Sequence, residues 1–118
     1  MVLVLFEVVV KKEGSADYLK LATGLNAMLA EAEGFIRSER FSSLANEGKL
    51  LSLSVWENEQ PVEKWRNTAQ HRMSQRQGHE SLFKSYTITV ASHRRSYTDE
   101  RREEAPEDSN EFLGLVTP

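Results

Sequence analysis

The chain has 118 residues, of which 39% are hydrophobic and 28% charged, so it is long enough for one domain with its own core and too short for two. It contains no cysteine, which excludes disulfides, thiolate metal sites and a cysteine nucleophile and suits a reducing cytoplasm. The opening apolar run MVLVLFEVVV is interrupted by Glu7, so we interpret it as a strand rather than a signal peptide, and we expect no membrane-spanning segment.

The net charge of −3 is distributed unevenly along the chain. Residues 1–97 carry 13 Lys/Arg and 11 Asp/Glu, a balance of +2, whereas residues 98–118 carry 2 and 7, a balance of −5. A nearly neutral body with an acidic tail offers no basic surface for nucleic acid, so we exclude that partner. The composition divides the chain into a domain of residues 1–97 and an acidic tail of residues 98–118, which ends in the apolar run FLGLV and could dock on a partner subunit.

The predicted elements follow the order β-α-β-β-α-β. Alternating apolar residues predict strands, helical spacing of apolar residues predicts helices, and a short turn at NEG joins the second and third strands into a hairpin. Gly34 is expected to end the first helix and Pro61 to begin the second. The elements cover, in order, residues 2–10, 16–32, 35–44, 49–56, 61–78 and 83–95.

This order is the ferredoxin-like arrangement of the α+β class, in which two helices cover one face of an antiparallel sheet. The first strand is apolar on both faces, and the second strand places Phe35 and Phe41 opposite Ile36. A small domain seldom leaves such a face in water, so we predict a homodimer in which two sheets pack together. The alternative is that the tail covers this face within one chain.

Three stretches of the sequence resemble the antibiotic biosynthesis monooxygenase family of dimeric α+β barrels: GFIRSERFSS, GKLLSLSVWENEQPVEKWRNTAQHRMSQRQG and YTITVASHRRSY. The resemblance covers residues 1–97, and its most telling part is the junction SVWENEQPVEKW. It implies a homodimer that oxidises a small phenol, anthrone or quinol with molecular oxygen as co-substrate and without metal or flavin. Other members of this family degrade haem, modify quinols or have no known reaction.

The haem-degrading branch of the family is similar to this chain at one of three positions. That branch has an Asn on the first strand, a Trp on the second helix, and a His eight to ten residues later. Here the strand residue is Glu7, Trp65 matches, and His71 follows Trp65 by only six residues. Haem binding is therefore one alternative to the cofactor-independent oxygenase, and a protein that binds a hydrophobic ligand without reaction is another.

Trp65 and His71 are candidate catalytic residues on the second helix. On an unbroken helix they lie on nearly opposite sides, which would place Trp65 in the core and His71 on the surface. A cap at Asn67 or Thr68 would start a second helical segment and turn His71 toward the pocket, where it could act as a general base.

Glu7 is the third catalytic candidate, because it interrupts an apolar strand on the side of Leu3 and Leu5. A carboxylate there is costly unless it is paired. It could be a general base with a raised pKa, an anchor for a substrate hydroxyl, or one half of an ion pair between strands or subunits. Candidate partners for such an ion pair are Arg37, Arg40, His93 and Arg95.

A hydrophobic cleft is expected between the sheet and the helices, where an aromatic substrate would bind. Phe6, Phe35 and Tyr86 would line it, and Arg40 or Arg66 would stabilise a negative charge. The alternative explanations are that the aromatic residues only pack in the core and that the arginines only carry charge at the solvated surface. Of the neighbours Glu39 and Arg40, one must point inward, and we expect it to be ion-paired. The histidines have no partners at ligand spacing, so no metal site is predicted.

Overall fold

The chain folds as one four-stranded antiparallel sheet with helices on one side. The computed structural model describes residues 1–75 and 82–115, leaving out the side chains of Ser15 and of residues 70–75. The strand order is β2-β3-β1-β4, which confirms the α+β ferredoxin-like fold. The elements are β1 (Val2–Val10), α1 (Ser15–Leu29), β2 (Phe35–Ser42), β3 (Lys49–Trp56), α2 (Glu59–Gln75), β4 (Phe83–Ser92) and α3 (Glu107–Phe112).

The central strand β1 determines which residues lie on each face of the sheet. Val8 and Val10 pack against Tyr18 and Ala22 of α1, so the even-numbered residues of β1 define what we call the helix face. Leu3, Leu5, Glu7 and Val9 therefore lie on the opposite face, which we call the free face. The division of β1 into these two sets is the one predicted from its alternation.

Strand β2 departs from simple alternation. Its register against β3 shifts between Phe35 and Arg37, where a bulge takes up Ile36. Phe35 pairs with Trp56 on the helix face, whereas Phe41 lies on the free face. The prediction that Phe35 and Phe41 share one face is wrong, because one extra residue in the strand reverses the faces on which later side chains lie.

Two core clusters fill the space between the helix face and the helices. The first core cluster joins the start of α1 to one end of the sheet through Val8, Val10, Tyr18 and Ala22, with Phe6, Leu50 and Phe83 packed against them. The second joins the end of α1 and the start of α2 to the other end through Leu29, Trp56 and Val62, with Val2, Val4, Ala32, Phe35 and Trp65 packed against them. Each helix thereby buries its apolar side on the sheet.

The tail leaves the sheet after Ser92 and contains the helix α3, which the sequence reading did not predict. The radius of gyration is 17.7 Å, against about 13.5 Å for a compact domain of this length. Arg102 organises the tail: its guanidinium donates to Asn110 Oδ1 (2.9 Å), Ser109 Oγ (2.8 Å) and the Thr98 carbonyl oxygen (3.1 Å). The tail is therefore an extended arm with its own local order.

Within the described residues, no helix has both the length and the apolar character needed to cross a bilayer.

Gly34 fixes where β2 and α2 begin relative to each other. Its φ is 77°, in the left-handed region, and its carbonyl oxygen accepts a hydrogen bond from the Glu57 amide (2.8 Å). A Cβ built on Gly34 would lie 2.7 Å from Pro61 Cβ, so only glycine fits. Helix α1 already ends at Leu29, so the prediction that Gly34 terminates it is wrong; Gly34 belongs to the following turn.

Gly34→Ala should therefore lower the free energy of unfolding by about 2 kcal/mol or more, through left-handed strain and the clash with Pro61. Gly24→Ala is the matched control, because Gly24 lies in α1 with no atom near its missing Cβ. The control should raise stability by about 0.5–1 kcal/mol. Urea unfolding followed by circular dichroism measures both, and equal effects would contradict the proposed contact.

Candidate active site

The register of the four strands aligns residues in straight rows across the helix face. One row runs from Arg40 on β2 through Ser52 on β3 and Phe6 on β1 to Ile88 on β4. The neighbouring row contains Ser38, Ser54, Val4 and Val90. These two rows, which we call the floor, lie where the two core clusters meet: Phe6 packs against the first core cluster and Val4 against the second.

Small polar residues occupy the β2 and β3 half of this floor. These residues are Ser38, Ser52 and Ser54. On β3 the two serines stand between the larger side chains of Leu50 and Trp56, which lie on the same face of the sheet. Ser54 Oγ accepts a hydrogen bond from Trp56 Nε1 (2.9 Å), which fixes the indole of the second core cluster. We call the region above these two rows, where the sequence predicts a pocket between the sheet and the helices, the cleft.

The β1 and β4 half of the cleft is apolar and open. The ring of Phe6 lies 5.7 Å from that of Tyr86 and 6.1 Å from that of Phe83, centroid to centroid. On the helix face of β4, Tyr86 is 58% exposed, Ile88 55% and Val90 48%. These exposed apolar side chains offer a surface on which a flat hydrophobic ligand can lie. The structure thus brings together Phe6 and Tyr86, both expected in the pocket.

Arg40 provides the charge at the other end of the cleft. It lies on the helix face, whereas its neighbour Glu39 lies on the free face, because they are consecutive in a strand. The guanidinium carbon lies 6.0 Å from the centroid of the Tyr18 ring, at cation–π distance. Arg40 Nε is buried without a hydrogen-bond partner among the described residues. The expected ion pair of the inward residue is therefore not found in the part of the chain that is described.

Tyr18 carries a hydroxyl group beside Arg40 that the sequence did not identify as a functional candidate. It is 5% exposed, and burial raises the pKa of its hydroxyl, while the nearby Arg40 guanidinium offsets part of that rise. Tyr18 therefore carries its proton at neutral pH and can donate a hydrogen bond. Its helical spacing predicted a core position, and only the register of β2 shows that a cation lies beneath it.

Trp65 and Phe35 lie at the other wall, in the second core cluster. Both pack on Trp56: the Phe35 ring lies 5.5 Å from it and the Trp65 ring 6.4 Å, centroid to centroid. Trp65 is partly buried rather than enclosed. Its position thus agrees with a ring that both packs in the core and forms one side of the cleft.

The helix that carries His71 has no break. Helix α2 is continuous over Glu59–Gln75, and the Thr68 hydroxyl donates to the Lys64 carbonyl oxygen (3.2 Å) inside it. The predicted cap at Asn67 or Thr68 is wrong, because that hydroxyl bonds back into the same helix. The side chain of His71 lies outside the described residues, so its role as a base stays a prediction, as does the haem alternative that depends on it.

Glu7 and Arg66 lie away from the cleft. Glu7 is on the free face and forms an ion pair with Lys49 (Oε1–Nζ 3.5 Å), which is none of the four partners that the sequence suggested. Its placement supports the ion-pair explanation rather than that of a base in the same pocket as Trp65. Arg66 is 57% exposed and faces Glu63 of its own helix at 4.0 Å.

In the described part of the chain, no three His, Asp or Glu side chains come together as metal ligands would.

Comparison with known proteins gives a consistent result. The family model described as antibiotic biosynthesis monooxygenase matches residues 1–77. A relative from Pyricularia oryzae, described as a jasmonate monooxygenase, is 37% identical over 90 residues, or 76% of this chain and 42% of the relative. The chain therefore spans less than half the length of that relative.

Solved structures show the same fold at low sequence identity. SnoaB, described as a cofactor-independent oxygenase from Streptomyces nogalater, is 13% identical with a TM-score of 0.66, over 80% of this chain and 94% of that one. A Deinococcus radiodurans protein placed in the same family is also 13% identical, with a TM-score of 0.71 over 83% of this chain and 97% of that one. Similarity at this level of identity concerns the fold alone.

The raised pKa of Tyr18 can be measured directly. Absorbance at the tyrosinate band, followed with rising pH, should show a step above the ordinary tyrosine value of about 10 that Tyr18→Phe removes. Because the folded pKa lies above the unfolded one, the stability linked to Tyr18 is complete below about pH 10 and is lost as the pH rises through the folded pKa. If the step that Tyr18→Phe removes lies at the ordinary value of about 10, the burial of this hydroxyl is contradicted.

Proposed function

Because the chain belongs to the antibiotic biosynthesis monooxygenase family, we propose that it oxygenates a small aromatic substrate of the phenol, anthrone or quinol type in the cleft on the helix face, with molecular oxygen as co-substrate and without a cofactor. The observation that carries the proposal is the register of the sheet, which aligns the apolar side chains of Phe6 and Ile88 in one row with the partly buried cation Arg40. Such a site binds an aromatic ring and stabilises negative charge on it.

The proposed reaction proceeds through a substrate anion. A base removes a proton from the activated carbon or hydroxyl, and His71 on α2 is the candidate for this base. The electron-rich anion gives one electron to oxygen, and the two radicals combine to form a carbon–oxygen bond. The resulting hydroperoxide loses water, so that a CH2 group becomes a carbonyl, with one oxygen atom in the product and the other in water.

The remaining cleft residues would orient the substrate and support its charge. Arg40 would stabilise the anion before it meets oxygen, in a site where the aromatic walls reduce the access of water. Phe6, Tyr86 and Trp65 would hold the ring in a defined plane by contact. In this scheme the protein supplies position and electrostatics, and the substrate supplies the electrons.

Jasmonate is a second substrate candidate, because the Pyricularia oryzae relative is described as a jasmonate monooxygenase. The alternative from another functional class is a protein that binds a hydrophobic ligand in the same cleft without reaction.

Oxygen uptake separates these possibilities. The purified protein should consume oxygen with an anthrone, a hydroquinone or jasmonate, and the product should acquire one atom of labelled oxygen. Arg40→Gln should lower kcat/KM by about 10- to 100-fold through loss of anion stabilisation. His71→Ala should lower it by about 100-fold or more and remove the acidic limb of the pH–rate profile for kcat/KM, the fall toward low pH that protonation of a base causes.

Arg37→Gln is the matched control for Arg40→Gln, because Arg37 lies on the same strand but points to the free face. It should leave turnover unchanged. Ligand binding detected by calorimetry without any oxygen uptake would contradict the oxygenase proposal and favour the binding protein.

We also propose that the chain forms a homodimer through its free face. Leu3, Leu5, Leu51 and Leu53 are only partly buried there, and Phe41 is 42% exposed. The arm would extend over the second copy, since α3 presents Phe112 at 90% exposure. Apolar area of this kind is buried in stable homodimers.

Light scattering after size exclusion should give a dimer mass for the full chain and a monomer mass for Leu53→Asp. The same change at Leu44, a fully exposed turn residue, is the control and should leave the dimer intact. Truncation after Tyr97 should raise the dimer dissociation constant by about tenfold. An unchanged constant would show that the arm does not embrace the partner, whereas a monomeric full chain would contradict the dimer itself.

A further inference from the structure

We infer that Arg40 and Tyr18 form an anion subsite at the β2 end of the cleft, and that this subsite takes the carboxylate of an amphipathic substrate. The inference rests on the proposed function for the role of the cleft and adds the chemical class of what occupies it. A neutral anthrone would fill the apolar half alone. A hydrophobic carboxylic acid would fill both halves.

The charge of Arg40 has no counter-ion in the described part of the chain. The ion pairs there join Lys49 to Glu7, Lys64 to Glu33, and Arg66 to Glu63, and none involves Arg40. Arg40 Nε is buried and makes no hydrogen bond within the same residues. A buried N–H of a guanidinium is costly without an acceptor, so a bound anion would complete the site.

Among the described residues of the helix face, Arg40 has no charged neighbour. On the helix face, strands β1, β2 and β3 carry only apolar residues, serines and Arg40. The helix residues that pack onto these strands, among them Tyr18, Ala22, Leu29 and Val62, are also uncharged. A single positive charge in a neutral, partly desolvated cleft attracts an anion more strongly than the same charge at the surface would.

Tyr18 supplies a second donor to the same anion. Its ring lies 6.0 Å from the Arg40 guanidinium carbon, and its hydroxyl keeps its proton at neutral pH. Ser52 stands directly opposite Arg40 on β3 and offers a third donor, its hydroxyl. This set of donors suits a carboxylate. Its single negative charge balances the guanidinium, and its two oxygens can accept hydrogen bonds from the planar guanidinium and from the neutral hydroxyl groups.

The length of the row sets the shape of the ligand. From Arg40 to Ile88 the row crosses three strand spacings, which amounts to about 14 Å. Its far end is the exposed apolar surface of Tyr86, Ile88 and Val90. The complementary molecule therefore has a carboxylate at one end and a hydrophobic body at the other.

Calorimetric titration with 2-naphthoate and with its methyl ester tests the subsite without turnover. The wild-type protein should bind the acid at least 10-fold more tightly than the ester, and Arg40→Gln should abolish that preference. Arg40→Lys should retain part of it, because the charge remains and the fork is lost. Tyr18→Phe should reduce it severalfold, and Arg37→Gln, on the free face, should leave it unchanged.

Ser52→Asp offers an independent variant in case the Arg40 changes impair folding. It places a carboxylate opposite Arg40, so it should remove the preference for the acid while leaving binding of the ester in place. Equal affinity of the wild type for acid and ester, absence of binding of both up to millimolar concentration, or loss of the preference in Arg37→Gln would each overturn the inference.

The oxygenase proposal and the anion-subsite inference can be contradicted independently of each other. Preferential binding of the acid without oxygen uptake from any substrate would sustain the subsite and contradict the oxygenase. Oxygen uptake with neutral anthrones, together with equal binding of acid and ester, would sustain the oxygenase and contradict the subsite.

Discussion

The antiparallel pairing of β1 with both β3 and β4 is the constraint on which the rest of the structure depends. It places Phe6 directly between Ser52 and Ile88, and the pairing of β3 with β2 then extends the row to Arg40. No side chain in this row is near another in sequence. A shift of one residue in either pairing would move Arg40 or Phe6 to the free face, because side chains alternate along a strand. Register therefore creates the cleft, and the helices only give it walls.

The two core clusters border the cleft. Each cluster is anchored by a nearly fully buried residue: Val8 in the first and Trp56 in the second, both 1% exposed. Between them, β2 and β3 carry serines where leucines would extend a continuous core. A serine hydroxyl needs a partner when buried, and Ser54 has one in the Trp56 indole. The sheet thus gives up apolar contact along two rows, which is consistent with space for a ligand.

How much could be predicted from the sequence differs between the fold and the site. The alternation in β1 predicted both faces of that strand, and six elements followed from apolar spacing and turn residues. The bulge at Ile36 could not be predicted, because an extra residue leaves no mark in an alternating pattern until the partner strand is known. Phe6, Tyr86 and Arg40 were identified as candidates from residue type. The link between Arg40 and Tyr18 was not, since it joins β2 to α1 across the sheet.

Glu7 and Arg40 show why a charge inside an apolar strand has two different meanings. Glu7 lies on the free face beside Lys49, and both side chains remain about 40% exposed (42% and 38%), so water and a neighbouring cation satisfy the carboxylate. Arg40 has its Nε buried on the helix face, with an aromatic ring above it and hydroxyl groups beside it. The same sequence signal therefore marks an ordinary ion pair in one strand and, in another, a cation whose Nε has no hydrogen-bond partner among the described residues. What separates them is the face of the sheet, since the helices cover the helix face, whereas Glu7 and Lys49 on the free face stay partly exposed.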